Sequence, residues 1–111
     1  MNESPVTADE LLAGANATYR LEVPAEVVRP GAEGENKPVV IQLRPVTIGG
    51  FQLILKAAKD DPGMIPILLI KESLVEPEMN LQQVQRLHLG LVEYLVNHIR
   101  KISGMDEKKN G

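Results

Sequence analysis

The sequence predicts an α+β fold in which an N-terminal antiparallel β-hairpin packs on about three helices, the last one long. Three observations predict it. Tyr19, Leu21 and Val23 alternate with Arg20 and Glu22, the period of a half-buried strand. Val39–Leu43 is an apolar, β-branched run closed by Arg44-Pro45. From Thr47 onward the apolar spacing changes to steps of three and four, the mark of amphipathic helices. The expected organisation is a flexible arm over 1–18, one domain over 19–104 with its hairpin in 19–46 and its helices in 47–104, and a charged tail over 105–111.

The elements follow in order. Residues 1–18 are small and polar, without a sustained period. They read as a mobile arm, or as an arm that orders on a partner, with a short helix over Ala8–Gly14 capped by Thr7. Pro24 cannot donate to a ladder, so it breaks the first strand, and Glu26–Arg29 reads as a second extended piece. Pro30–Pro38 is rich in Gly, Pro and charge and reads as a loop. Thr47 caps a helix over Ile48–Lys59 whose apolar face is Phe51, Ile54, Leu55 and Ala58. Gly49 and Gly50 weaken its first turn or permit a close approach to a neighbour. Asp60-Asp61-Pro62-Gly63 is a turn.

Met64–Val75 reads as a second helix, apolar almost all round, with Pro66 tolerated only in its first turn; a strand is the alternative, but Lys71–Val75 continues more naturally as helix. Glu76-Pro77 ends it. Asn80 caps a final helix running to about Ser103 and stopped by Gly104. Its stripe is Val84, Leu87, Leu91, Leu95, Ile99 and Ile102, and it widens to Leu89, Val92 and Val96. A helix of that span is roughly 35 Å long, more than so small a domain needs. The surplus apolar width is available to a partner or a second copy.

Composition narrows the function. Hydrophobic residues make up 43% of the 111 residues but aromatic ones only 3%, so the core must be built from Leu, Ile and Val. Aromatic stacking platforms for single strands are missing. A net charge of -3, with 12 basic residues against 15 acidic ones and no basic block, argues against nucleic acid, whose phosphates demand Lys and Arg. The chain has no cysteine, which excludes disulfides and thiolate metal sites. The N-terminal ten residues do not resemble a secretory signal, and the longest apolar run, Met64–Ile70, is far below the roughly 20 residues of a membrane span. The expectation is a protein that acts in the cytoplasm, away from membranes.

Chemistry is hard to find. His88 and His98 lie ten apart on one predicted helix, roughly 80° apart around it, whereas paired ligands on a helix stand three or four apart. Both read as surface or helix-flank side chains. Glu72, Glu76 and Glu78 flank a helix end and a proline turn, a solvated rim rather than an acid–base pair. Ser4, Ser73 and Ser103 have no nucleophile-elbow context, and Gly49-Gly50 lacks the spacing of a phosphate loop. The sequence therefore predicts no catalytic residue, no metal and no cofactor.

The segment Leu68–Met79, LLIKESLVEPEM, precedes the final helix, and that helix ends HIRKISGM, His98–Met105. This arrangement resembles the tail assembly chaperones of long-tailed bacteriophages and prophages. Members of that family often carry a stretch of Ser-Leu-Val, then Pro, then Leu before a last helix, and an Ile-x-x-Leu-Ser-Gly ending. The matching positions are Ser73-Leu74-Val75, Pro77 and Ile99–Gly104, and the resemblance spans about residues 38–104. Leu43-Arg44-Pro45 matches nothing typical of the family.

The resemblance implies a protein made in the infected host cytoplasm that binds the tape measure protein. It keeps that long apolar chain soluble while tail tube subunits polymerise, and is absent from the finished virion. It also implies a longer frameshifted form, for which Lys108-Lys109-Asn110 supplies a candidate slippery site if encoded A-AAA-AAC. A holder of such a client needs apolar surface, low net charge and no active site. The candidate partner-binding residues are Ile65, Leu68, Leu69, Leu87, Leu91, Leu95 and Ile99. They are also the best core candidates, so they cannot all serve both roles. The tape measure protein, the tail tube protein and a further copy of the chain are the expected partners. The competing readings are a tail or head–tail connector subunit that stays in the particle, a small enzyme or ligand-binding protein, and a cellular adaptor unrelated to phage.

Overall fold

The computed structural model describes residues 5–31 and 37–105. The tail expected over 105–111 lies outside them except for Met105, as does the middle of the loop expected over 30–38. Helix α1 (Ala8–Leu12) opens the chain on a full capping box: the Thr7 hydroxyl accepts from the Glu10 amide, and the Glu10 carboxylate accepts from the Thr7 amide. A 3-10 turn over Ala13–Asn16 follows.

Strand β1 (Tyr19–Val23) has the predicted bounds. The extended piece expected at Glu26–Arg29 is instead a single helical turn, α2 (Ala25–Val28). Pro24 ends the strand, and its carbonyl accepts from both Val27 and Val28, so the chain coils at once and buries Ala25. Strand β2 (Val39–Leu43) then pairs antiparallel with β1, Leu21 opposite Ile41 and Tyr19 opposite Leu43. Leu21, Val23, Ile41 and Leu43 face inward, while Arg20, Glu22, Val40 and Gln42 face water. Arg20 and Glu22 form an ion pair on that outer face of the edge strand, where charge discourages further pairing.

Helix α3 (Ile48–Ala57) begins where predicted, with the Thr47 hydroxyl accepting from the Gly50 amide. It ends two residues short of Lys59, and Leu55, expected on its buried face, is exposed. The buried side is Ile54 and Ala58, with Phe51 half-buried. Helix α4 (Met64–Ser73) carries Pro66 in its first turn and is the central helix, packing on α3 and on the helices that follow.

The prediction of helix through Val75 fails at Leu74, where the chain becomes a third strand, β3 (Leu74–Glu76). It pairs antiparallel with β2, so the hairpin grows to a three-stranded sheet of order β1-β2-β3. Pro77 pushes Glu76, the last residue of β3, toward extended geometry, and the pairing with β2 holds Leu74 extended two residues earlier. The long final helix is likewise two. Helix α5 (Leu81–Gln85) is capped by Asn80 in a capping box with Gln83, and α6 (Leu89–Ile102) starts afresh with His88 as its cap.

The core is aliphatic, as the composition requires: Val23, Ile41 and Leu43 from the sheet, Ile70 and Leu74 from α4 and β3, Val84 from α5, and Leu95 and Ile99 from α6. The fold is α+β with a longest, C-terminal helix. Among the described residues no helix is long and apolar enough to cross a membrane.

A candidate partner-binding surface

The seven predicted partner-binding residues fall into three groups. Leu69, Leu95 and Ile99 are buried, with Ile99 fully sealed in the core. Leu87 and Leu91 are half-buried. With Leu95 and Val28, Val39, Ile41, Leu74, Pro77 and Met79 they line an entirely apolar cavity of about 90 Å³. Leu68 is half-buried in the crevice between α3 and α4, beside Leu53, Ile54 and Ala57, and Ile65 is half-buried in the first turn of α4. The stripe down α6 is therefore mostly an inner face. The structure gathers the seven around α4 and α6 but leaves none of them fully open to water.

What stays open is the margin of that stripe. Leu89 is 86% exposed at the first position of α6. One and two turns further on, Val92 and Val96 are half-buried beside it. With Pro66 from α4 and Glu93 they line a groove of about 390 Å³. Spacings of three and four place Leu89, Val92 and Val96 on one strip, next to but distinct from the strip of Leu91, Leu95 and Ile99. The groove thus has aliphatic walls and one carboxylate at its edge. It suits the apolar face of a helix or an extended apolar segment.

His88 holds this groove in place. Its Nδ1 accepts from the Leu91 amide at 3.3 Å, capping α6, and its Nε2 lies 2.8 Å from the Val27 carbonyl. A single tautomer, Nε2–H, satisfies both contacts. The sequence reads His88 as a surface or helix-flank side chain, and it is exposed and stands as the cap of α6, directly before Leu89. The Tyr94 and His98 rings meet one turn apart, tilted by 40° with centroids 4.6 Å apart, and His98 Nδ1 donates to the Tyr94 carbonyl at 3.0 Å.

Two serines of the family-like motifs are built into the fold. Ser73 is sealed from water, and its hydroxyl donates to the Arg44 carbonyl. The Ser103 hydroxyl accepts from the Val46 amide at 2.8 Å. Both therefore hold the short link between β2 and α3. A polar hollow of about 340 Å³ is lined by Lys71, Glu78, Met79, Asn80 and Gln83, but Asn80 and Gln83 are engaged in the capping box of α5. Among the described residues no three His, Asp or Glu side chains come together as metal ligands would.

No family model matches the chain, and neither the curated proteins nor the solved structures contain a match to it. The functional reading below therefore rests on the residues and their geometry.

Proposed function

We propose that this chain is a protein-binding module that holds an apolar client in the groove between α4 and α6, in the manner of a phage tail assembly chaperone holding its tape measure protein. One observation carries the reading: at the margin of the core, α6 lays half-buried Val92 and Val96 along one wall of a groove and leaves Leu89 86% exposed at its rim. A side chain as apolar as leucine left 86% exposed at the rim of an apolar groove gains free energy when a partner covers it. The client supplies leucine-rich helix, and the module supplies groove walls without needing a reactive group. The place of action is the host cytoplasm, before tail tube subunits enclose the tape measure.

The test is co-expression with the tape measure protein of the same gene cluster. The expected result is that the tape measure becomes soluble and co-purifies with this chain. Leu89→Lys should abolish both effects, and purified particles should lack the chain. Recovery of the chain in stoichiometric amount from finished particles would instead make it a structural tail or connector subunit.

A further inference from the structure

Helices α5 and α6 are separated by a break that the intervening residues do not demand. Gln85, Arg86 and Leu87 are strong helix formers, and neither Gly nor Pro stands between Val84 and Leu89. The apolar stripe ignores the break. Val84, Leu87, Leu91, Leu95, Ile99 and Ile102 keep steps of three and four, so a continuous helix over 81–102 would carry all six on one face. Such a helix is roughly 33 Å long.

What holds the break is the His88 ring, which caps α6 through the Leu91 amide and reaches the Val27 carbonyl on α2. Against those contacts stand three amides. Those of His88, Leu89 and Gly90 have no hydrogen-bond partner among the described residues. In a continuous helix they donate to the carbonyls of Val84, Gln85 and Arg86. The bent and the straight arrangement therefore differ by an exchange of a few hydrogen bonds. His88 sits at φ -73 and ψ 157, outside the helical region, so straightening the chain there redirects α6 away from its own α4 and α2. Because α6 is the last helix, it leaves without threading past another element.

We infer that the chain forms a domain-swapped two-fold dimer, in which α5 and α6 run as one helix and α6 of each copy packs on α4 and α2 of the other. The chain itself fixes what fills the vacated site. Leu95 and Ile99 are sealed in the core, so an α6 that swings out must bury them again. A second copy that has opened in the same way offers the site they left, with the same walls. The exchange is reciprocal, so both cores close at once.

Refolding the full chain from urea at roughly 10 µM and at roughly 1 mM, followed by sedimentation velocity, tests this. The expected result is monomer from the dilute sample and a slowly dissociating dimer from the concentrated one. Leu89→Pro separates the two arrangements. Position 89 opens α6, where proline is favoured and His88 before it is already extended, but it is interior to the continuous helix. The variant should keep the parent's far-ultraviolet circular dichroism and weaken the dimer at least about a hundredfold. Gly90→Ala should raise the dimer fraction, because its Cβ lies 3.3 Å from the His88 ring and crowds the group that holds the break. Isotope-labelled and unlabelled chains refolded together should show nuclear Overhauser contacts between α4 of one and α6 of the other. Monomer at both concentrations, a dimer indifferent to both Leu89→Pro and Gly90→Ala, or a dimer without α4–α6 contacts between subunits would overturn the inference.

Discussion

Arg44 and Ser73 exchange two hydrogen bonds: the Arg44 amide donates to the Ser73 carbonyl at 2.9 Å, and the Ser73 hydroxyl donates to the Arg44 carbonyl at 2.5 Å. The Arg44 Nε also donates to the Glu72 carbonyl. This is the point at which α4 stops being a helix and β3 joins the sheet. A buried hydroxyl is worth keeping only when its bond is made, and here the bond welds the end of one helix to the end of a strand 29 residues away. Ser73→Ala should therefore lower unfolding free energy by about 1–2 kcal/mol in urea denaturation, without changing the slope of the transition.

The other end of the same link depends on the close of α6. The Met105 amide donates to the Arg100 carbonyl and the Gly104 amide to the Lys101 carbonyl, with Gly104 at φ +74. That pair of bonds around a left-handed residue is a Schellman cap. The Ile99–Gly104 ending thus reads as helix-stop chemistry plus one serine that ties α6 to Val46. Gly104→Ala should cost about 1 kcal/mol, because a Cβ is disfavoured at that φ. Thermal unfolding followed by circular dichroism measures it.

His88 makes a separable pair of contacts. His88→Ala removes both the cap of α6 and the link to Val27, and should destabilise by about 1–2 kcal/mol. Asparagine can restore the cap to Leu91 but does not carry the ring's second nitrogen to the Val27 carbonyl. His88→Asn should therefore recover part of the loss and no more, as read from the urea midpoints of the three proteins.

The two glycines that open α3 should respond differently to alanine. A Cβ at Gly49 meets nothing within 4 Å, whereas one at Gly50 would lie 3.1 Å from the Glu72 carboxylate and 3.3 Å from the Thr47 hydroxyl that caps the helix. Gly49→Ala should raise stability by about 0.5–1 kcal/mol through helix propensity alone. Gly50→Ala should gain less, or lose, because the cap must shift. Equilibrium denaturation of both single variants decides it.

Local signals in the chain were legible to the residue. Tyr19–Val23 and Val39–Leu43 carry their own periodicity, and Thr47, Asn80 and Gly104 are caps whose side chain or missing side chain does the capping. What was hidden depends on partners far away in sequence. Strand β3 is three residues that follow α4 with no turn signal between, and only pairing with β2, Leu43 opposite Leu74, makes them a strand. The break at Arg86–His88 escaped because Val84, Leu87 and Leu91 keep steps of three and four across it. Gly90, whose missing Cβ leaves room for the His88 ring at 3.3 Å, was the local hint. The surplus width of the last helix at Leu89, Val92 and Val96 was visible as a pattern. Sorting it from the interior strip of Leu95 and Ile99 required knowing where α4 and the sheet lie.

The two strips of α6 can be told apart by paired measurements on each variant, a urea midpoint and the fraction of co-expressed tape measure protein kept soluble. Ile99→Ala should lose about 2–5 kcal/mol of stability, since it hollows a sealed core position. Leu89→Lys should stay within about 0.5 kcal/mol of the parent yet leave the tape measure insoluble. A Leu89→Lys protein that folds as well as the parent and still keeps its client soluble would contradict the account.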